Sequence, residues 1–116
     1  MQRVYINVIA KNMEIPSIEQ YRRADIIIDA TCKVGNIDYL QFLSSPRTTE
    51  MSALRGVCCM VAWEYGVHAR KMARLIHRSR SNIINQSTRY RNWLKNNDSL
   101  TTNIYHRVKA EIKDKI

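Results

Sequence analysis

A chain of 116 residues with 45% hydrophobic and 25% charged residues is long enough for one folded domain with a modest core and too short for two. Three glycines and two prolines argue against an all-β design, which needs turn residues every ~8–12 positions, and no run of about 18 apolar residues offers a membrane span. The formal net charge of +9 asks for an anionic counterpart.

In chain order, Met1 to Ala10 is an apolar stretch interrupted by Asn7 and followed by Lys11-Asn12. That pattern does not suit a signal peptide and fits either a strand or an added helix. Ser17, preceded by Pro16 and followed by Gln20, reads as a helix N-cap with a capping box. The helix runs to about Val34 and stops at Gly35-Asn36; Ala24, Ile27, Ile28 and Thr31 form its buried stripe, with Arg22, Arg23 and Asp29 outside. Ile37 to Leu43 is a short amphipathic segment, and Ser44 to Thr49, with Pro46 and Arg47, is a loop. A long helix from about Glu50 to Tyr65 closes at Gly66, and its centre, Val57 to Trp63, is apolar nearly all round, as in the buried middle helix of a bundle.

Next come a helix from His68 to Ile76, a turn at His77-Arg78, and a helix from Ser79 or Ser81 to Lys95. After a break at Asn96-Asn97, a last helix capped by Asp98 or Ser99 runs to about Lys113. The whole reads as an all-α fold, a compact bundle of about five to six helices containing a helix-turn-helix. Trp63 and Trp93 are expected as core anchors.

Enzymatic chemistry finds no foothold. Cys32, Cys58 and Cys59 form no C-x-x-C, and neighbouring helical residues point about 100° apart, so buried reduced thiols in a cytosolic protein are expected. His68, His77 and His106 are too scattered for a metal site, and Gly66 separates Glu64 from His68. No G-x-S-x-G nucleophile motif occurs. The expectation is a protein without catalytic residues, cofactor, metal or small-molecule substrate.

The distribution of charge says more than its total. Residues 1–64 hold seven Lys/Arg and seven Asp/Glu, whereas residues 65–97 hold Arg70, Lys71, Arg74, Arg78, Arg80, Arg89, Arg91 and Lys95 with no acid. Such clustering is self-repulsive in isolation, and a nucleic acid is its natural complement. A membrane surface would want exposed large apolar residues opposite the basic face, and these are few. A basic face that merely keeps the protein soluble is the plainest alternative.

Within this segment Ala73 is followed by Ile76 and, ten residues on, by Ile83, with the turn four residues after Ala73. A small residue before the turn and branched apolar residues on either side are what two helices need to meet at a fixed angle. His77 stands where such units usually have Gly, which requires a left-handed or strained conformation from a non-glycine residue. Ser79 or Ser81 supplies the cap of the second helix, which buries Ile83, Tyr90 and Trp93 or Leu94. Opposite them stand Arg80, Ser81, Asn82, Asn85, Gln86 and Arg89, the residue types that read base edges in a major groove. Arg70, Lys71 and Arg74 would clamp phosphates from the preceding helix.

From Ala24 onward the chain resembles the C-terminal DNA-binding domain of the bacterial replication initiator DnaA, over about residues 24–113. Ile27 to Val34 followed by IDYLQFL is similar to that domain's opening helix and short turn, and Pro46-Arg47 sits where the family has its basic loop. Leu54-Arg55-Gly56-Val57 resembles the family's "aRqva", and Arg70 to Ile76 its "lpeIgraf" helix. Arg78-Ser79-Arg80-Ser81-Asn82-Ile83 falls on the signature "RDHsTV" if one turn residue is deleted. The resemblance implies that Arg47 enters a minor groove and that Arg78, Ser79, Arg80, Ser81 and Asn82 touch bases or phosphates. The signature's Asp and His are Ser79 and Arg80 here, so the initiator's own binding site is not implied. There is no GxxxxGK[ST] and no room for the family's ATPase module.

These readings divide the chain into an N-terminal extension, 1–23, and a DNA-binding domain, 24–116. They point to a sequence-specific binder of double-stranded DNA, cytoplasmic and nucleoid-associated, acting in transcription or replication. Units of this size often pair to read two half-sites, so a homodimer is compatible, although no dimer seam is legible. The alternative from another class is a protein-interaction module whose basic helices dock an acidic partner. RNA binding is weaker, for want of evident exposed aromatics.

Overall fold

The computed structural model describes residues 15–44 and 48–116. The expectations for Met1 to Ala10 and for Arg47 lie outside these residues. Six helices occupy the described residues: α1 Ser17–Gly35, α2 Tyr39–Ser44, α3 Thr49–Glu64, α4 Ala69–Ile76, α5 Arg80–Lys95 and α6 Ser99–Ile112. The all-α bundle expected from the sequence is what is found. α1 runs unbroken through position 24, so the boundary drawn there falls inside a helix.

Local chemistry sets most helix ends. Thr48, Ser79 and Asp98 cap α3, α5 and α6, each side chain accepting from the backbone N–H three residues on. α1 stops at Asn36, left-handed at φ 56°, whose N–H reaches Lys33 O at 3.1 Å while Ile37 N–H reaches Cys32 O at 3.0 Å.

The start of α1 departs from expectation. Pro16 is the N-cap residue, no side chain caps the helix, and Ser17 is already its first helical residue. Gln20 is buried and spent on tertiary contacts instead. Its Nε2 donates to Ile15 O and its Oε1 accepts from His68 N–H, both at 2.9 Å. A residue read as a local cap therefore ties the start of α1 to the start of α4.

α3 is the axis of the molecule. From Ala53 to Ala62 every residue but Arg55 is buried, and α1, α5 and α6 all pack on it, α5 most extensively. Its glycine makes the closest approach possible: a Cβ on Gly56 would stand 2.1 Å from Cδ2 of the buried Tyr90 of α5. Phe42 from α2, Ile27 from α1, Leu54 and Met60 from α3, Met72 and Ile76 from α4 and Ile112 from α6 complete the interior.

The two tryptophans do not belong to that interior. Trp63 is 56% and Trp93 43% exposed, because Trp63 follows the last buried turn of α3 and Trp93 lies beside, not on, the buried stripe of α5. The Arg91 guanidinium stacks over Trp63 at 3.9 Å, and Trp93 sets an edge against Tyr90 at 4.9 Å. Cys32, Cys58 and Cys59 are free and buried, as expected; burial pushes the Cys59 thiol up to about 12 and the Cys58 thiol well above its ordinary range.

Candidate nucleic-acid interface

The basic segment folds into α4, a three-residue connection and α5. His77 leaves α4 in the left-handed region (φ 56°, ψ 48°), and the Arg78 N–H closes back on Ala73 O at 3.1 Å. Ser79 then starts α5, its Oγ accepting from Asn82 N–H at 3.0 Å. Ile76 before the connection and Ile83 after it are buried, so the corner is held from inside.

Arg78 stabilises this corner directly. Its Nη1 donates to Ile76 O and His77 O, both at 3.2 Å, and its Nη2 to Leu43 O at 3.3 Å. The side chain satisfies carbonyls left over at the ends of α4 and α2, in addition to carrying charge. Tyr39 of α2 likewise donates to Leu75 O. α2 is thus a buttress for the connection.

The six residues expected to read bases do not form one stripe. Ser81, Asn85 and Arg89, spaced four apart, run down the exposed outer face of α5. Asn82 and Gln86 are half-buried and turn toward α3. Arg80 is exposed but, at about 100° per residue, falls in line with Ile84 and Arg91 on the other flank. On α4, Arg70 and Arg74 are exposed, Arg74 lying 3.4 Å from the Tyr21 hydroxyl, and the Lys71 ammonium sits 5.8 Å from the centre of the Tyr21 ring. Tyr21, which sequence reasoning passed over, gathers both cations against α1.

The charges at the helix starts run against the helix dipole. α4 opens Ala69-Arg70-Lys71 and α5 opens Arg80-Ser81-Asn82, with no acidic residue in either first turn, whereas α1 and α3 carry Glu19 and Glu50 there. Each cation at a helix N-terminus costs about 0.3–1 kcal/mol, an arrangement an incoming anion reverses. Glu19 shows the opposite situation: hydrogen bonds from Arg22 and Arg23 at 2.8 Å hold its carboxyl down at about 2.

Between α3, the connection and α5 lies a cleft of 290 Å³ lined by Ser52, Arg55, Cys59, Ile76, Arg78, Asn82, Gln86 and Arg89. Arg55 was not among the residues singled out for binding. The signals for it are an arginine amid the apolar centre of α3 and its match to the arginine of the family's "aRqva". A larger groove, 820 Å³, lies across α1 and α2, and Asp25, Asp29, Lys33 and Asp38 are the charged residues of its lining. Among the described residues no group of three or more His, Cys, Asp or Glu could hold a metal ion, and no helix is long and apolar enough to cross a membrane. Compared with family models, with curated proteins and with solved structures, the chain finds no significant match.

Proposed function

We propose that the chain binds double-stranded DNA in a sequence-specific manner, with α4 and α5 acting as a helix-turn-helix and α5 entering the major groove. One observation supports this reading: of the eight cations of residues 65–97, seven lie on two successive helices and Arg78 on the connection between them, and the N-terminal turns of both helices hold basic residues and no acid. Oriented amides and arginines together complement a phosphate backbone. Ser81, Asn85 and Arg89 read base edges from the outer face of α5, with Asn82 and Gln86 beside them. Arg70, Lys71 and Arg74 hold phosphates from α4, joined by Arg80 at the start of α5. The DnaA-like pattern supports the same assignment and adds Arg47 as a minor-groove contact.

Selection of bound duplexes from a random pool, followed by titration of the winners against salt, tests the proposal. Affinity should fall by roughly a thousandfold or more between about 50 and 200 mM salt if six or more phosphates are neutralised. Asn85→Ala should then weaken preference at a single position, by about 1–3 kcal/mol. Absence of any binding to random duplex at low salt would refute the reading and leave an acidic protein as the partner to seek.

A further inference from the structure

We infer that the cleft between α3, the connection and α5 seats one backbone phosphodiester of duplex DNA, with Arg55 as a phosphate ligand; the inference rests on the DNA-binding reading above. Three arginines reach this one cleft from three separate elements: Arg55 from α3, Arg78 from the connection and Arg89 from α5. Among the described residues no carboxylate lines it. An oxyanion in the cleft can take charge-assisted hydrogen bonds from arginines on three of its sides.

The neutral lining suits the same ligand. Ser52 and Asn82 bring a hydroxyl and an amide, and Gln86 has its Oε1 buried without a hydrogen-bond partner among the described residues. A half-turn of that amide exchanges Oε1 for Nε2, a donor for an anionic oxygen. An organic ligand is a poorer fit, because 290 Å³ lies at the lower end of such pockets (roughly 300–1,000 Å³) and these are mostly apolar, whereas here only Cys59 and Ile76 are. Arg89 also belongs to the outer face of α5, so a phosphate in the cleft lies next to the face proposed to read bases. Arg78 already spans the carbonyls of α2 and α4, which would make the phosphate part of the corner's own bonding.

The test is fluorescence anisotropy on the full chain, using a selected duplex and a scrambled one, over a range of salt. Arg55→Gln should weaken both duplexes alike by about tenfold and lower the slope of log affinity against log salt by about one. Ser52→Glu, which places a carboxylate at the cleft without touching an arginine, should weaken both at least as much, with its thermal melt reporting that the fold is intact. Should Arg55→Gln fail to fold, Ser52→Glu alone decides. Variants that bind as the parent does, with an unchanged slope, would overturn the cleft while the DNA reading stands, as would a loss confined to one sequence. A parent chain that binds neither duplex would overturn the DNA reading and the cleft with it.

Discussion

Replacing Gly56 with alanine places a methyl group 2.1 Å from Cδ2 and 2.2 Å from Cε2 of Tyr90. Carbon atoms rest at about 3.5–4.0 Å, so ring or helix must retreat by roughly 1.5 Å. Tyr90 is only 3% exposed and its ring meets Trp93 edge-on, so it cannot swing aside without losing that contact. Overpacking of this kind costs about 1–3 kcal/mol and the lost aromatic edge about 0.5–1.5 kcal/mol. Alanine's helical advantage over glycine returns about 1 kcal/mol. The balance is a destabilisation of about 1–3 kcal/mol, read from urea unfolding followed by circular dichroism. About 2 kcal/mol would lower the melting temperature by roughly 5–10 °C in a chain of this size. Gly35→Ala is the milder comparison, because its methyl meets the ends of one aliphatic side chain, Leu54, at 2.6 and 3.2 Å and not an aromatic ring at 2.1 Å. Tyr90→Leu in the Gly56→Ala background should recover part of the loss, a departure from additivity that marks direct contact. A Gly56→Ala protein as stable as the parent would refute the α3–α5 packing described above.

Three further outcomes are expected. His77→Gly relieves a left-handed residue at φ 56°, and after the extra freedom of the unfolded chain is subtracted it should stabilise by up to about 1 kcal/mol in urea titrations; a clear loss would mean the imidazole contributes contacts. Gln20→Ala removes the partners of Ile15 O and His68 N–H at once, and should cost about 1–3 kcal/mol and speed hydrogen exchange at the His68 amide, while unchanged exchange would discount the bridge. Cys58 and Cys59 should ignore a thiol reagent at pH 8 until denaturant is added. Their folded thiols hold protons above the ordinary value of 9.0, Cys59 to about 12, so stability is full below pH 9 and declines as pH rises toward 12. The slope should approach about 1.4 kcal/mol per pH unit for each thiol, and native reactivity at the free-thiol rate would contradict the burial.

Helix ends were legible because their causes are local. Ser79 and Asp98 cap with their own side chains, Gly66 and His77 end helices by their backbone conformations, and each effect is written within a few residues; Thr48, expected in the loop, caps α3 in the same local way. The buried character of α3 was equally plain, since residues apolar on every side have few other places to go. What failed depended on partners distant in the chain. Gln20 has the right spacing for a capping box, but His68 claims its amide. Trp63 and Trp93 have the composition of anchors, yet the helix face each occupies is decided by how α3 and α5 cross. The same reasoning applies to the candidate site. The exposed side chains of α5 follow from helical periodicity, whereas the turning of Arg78 onto three carbonyls and the arrival of Arg55 at the cleft require knowing which helices are neighbours.

Because α5 rests along α3, buried from Ala53 to Ala62 except at Arg55, packing holds its backbone in place before any partner arrives. Little ordering remains to oppose association, so binding should proceed close to lock-and-key, with small structural change in the protein. Any adaptation needed for a good fit must then come from the partner. For a duplex, that means its flexibility at particular base steps should contribute to selection even where no side chain touches a base.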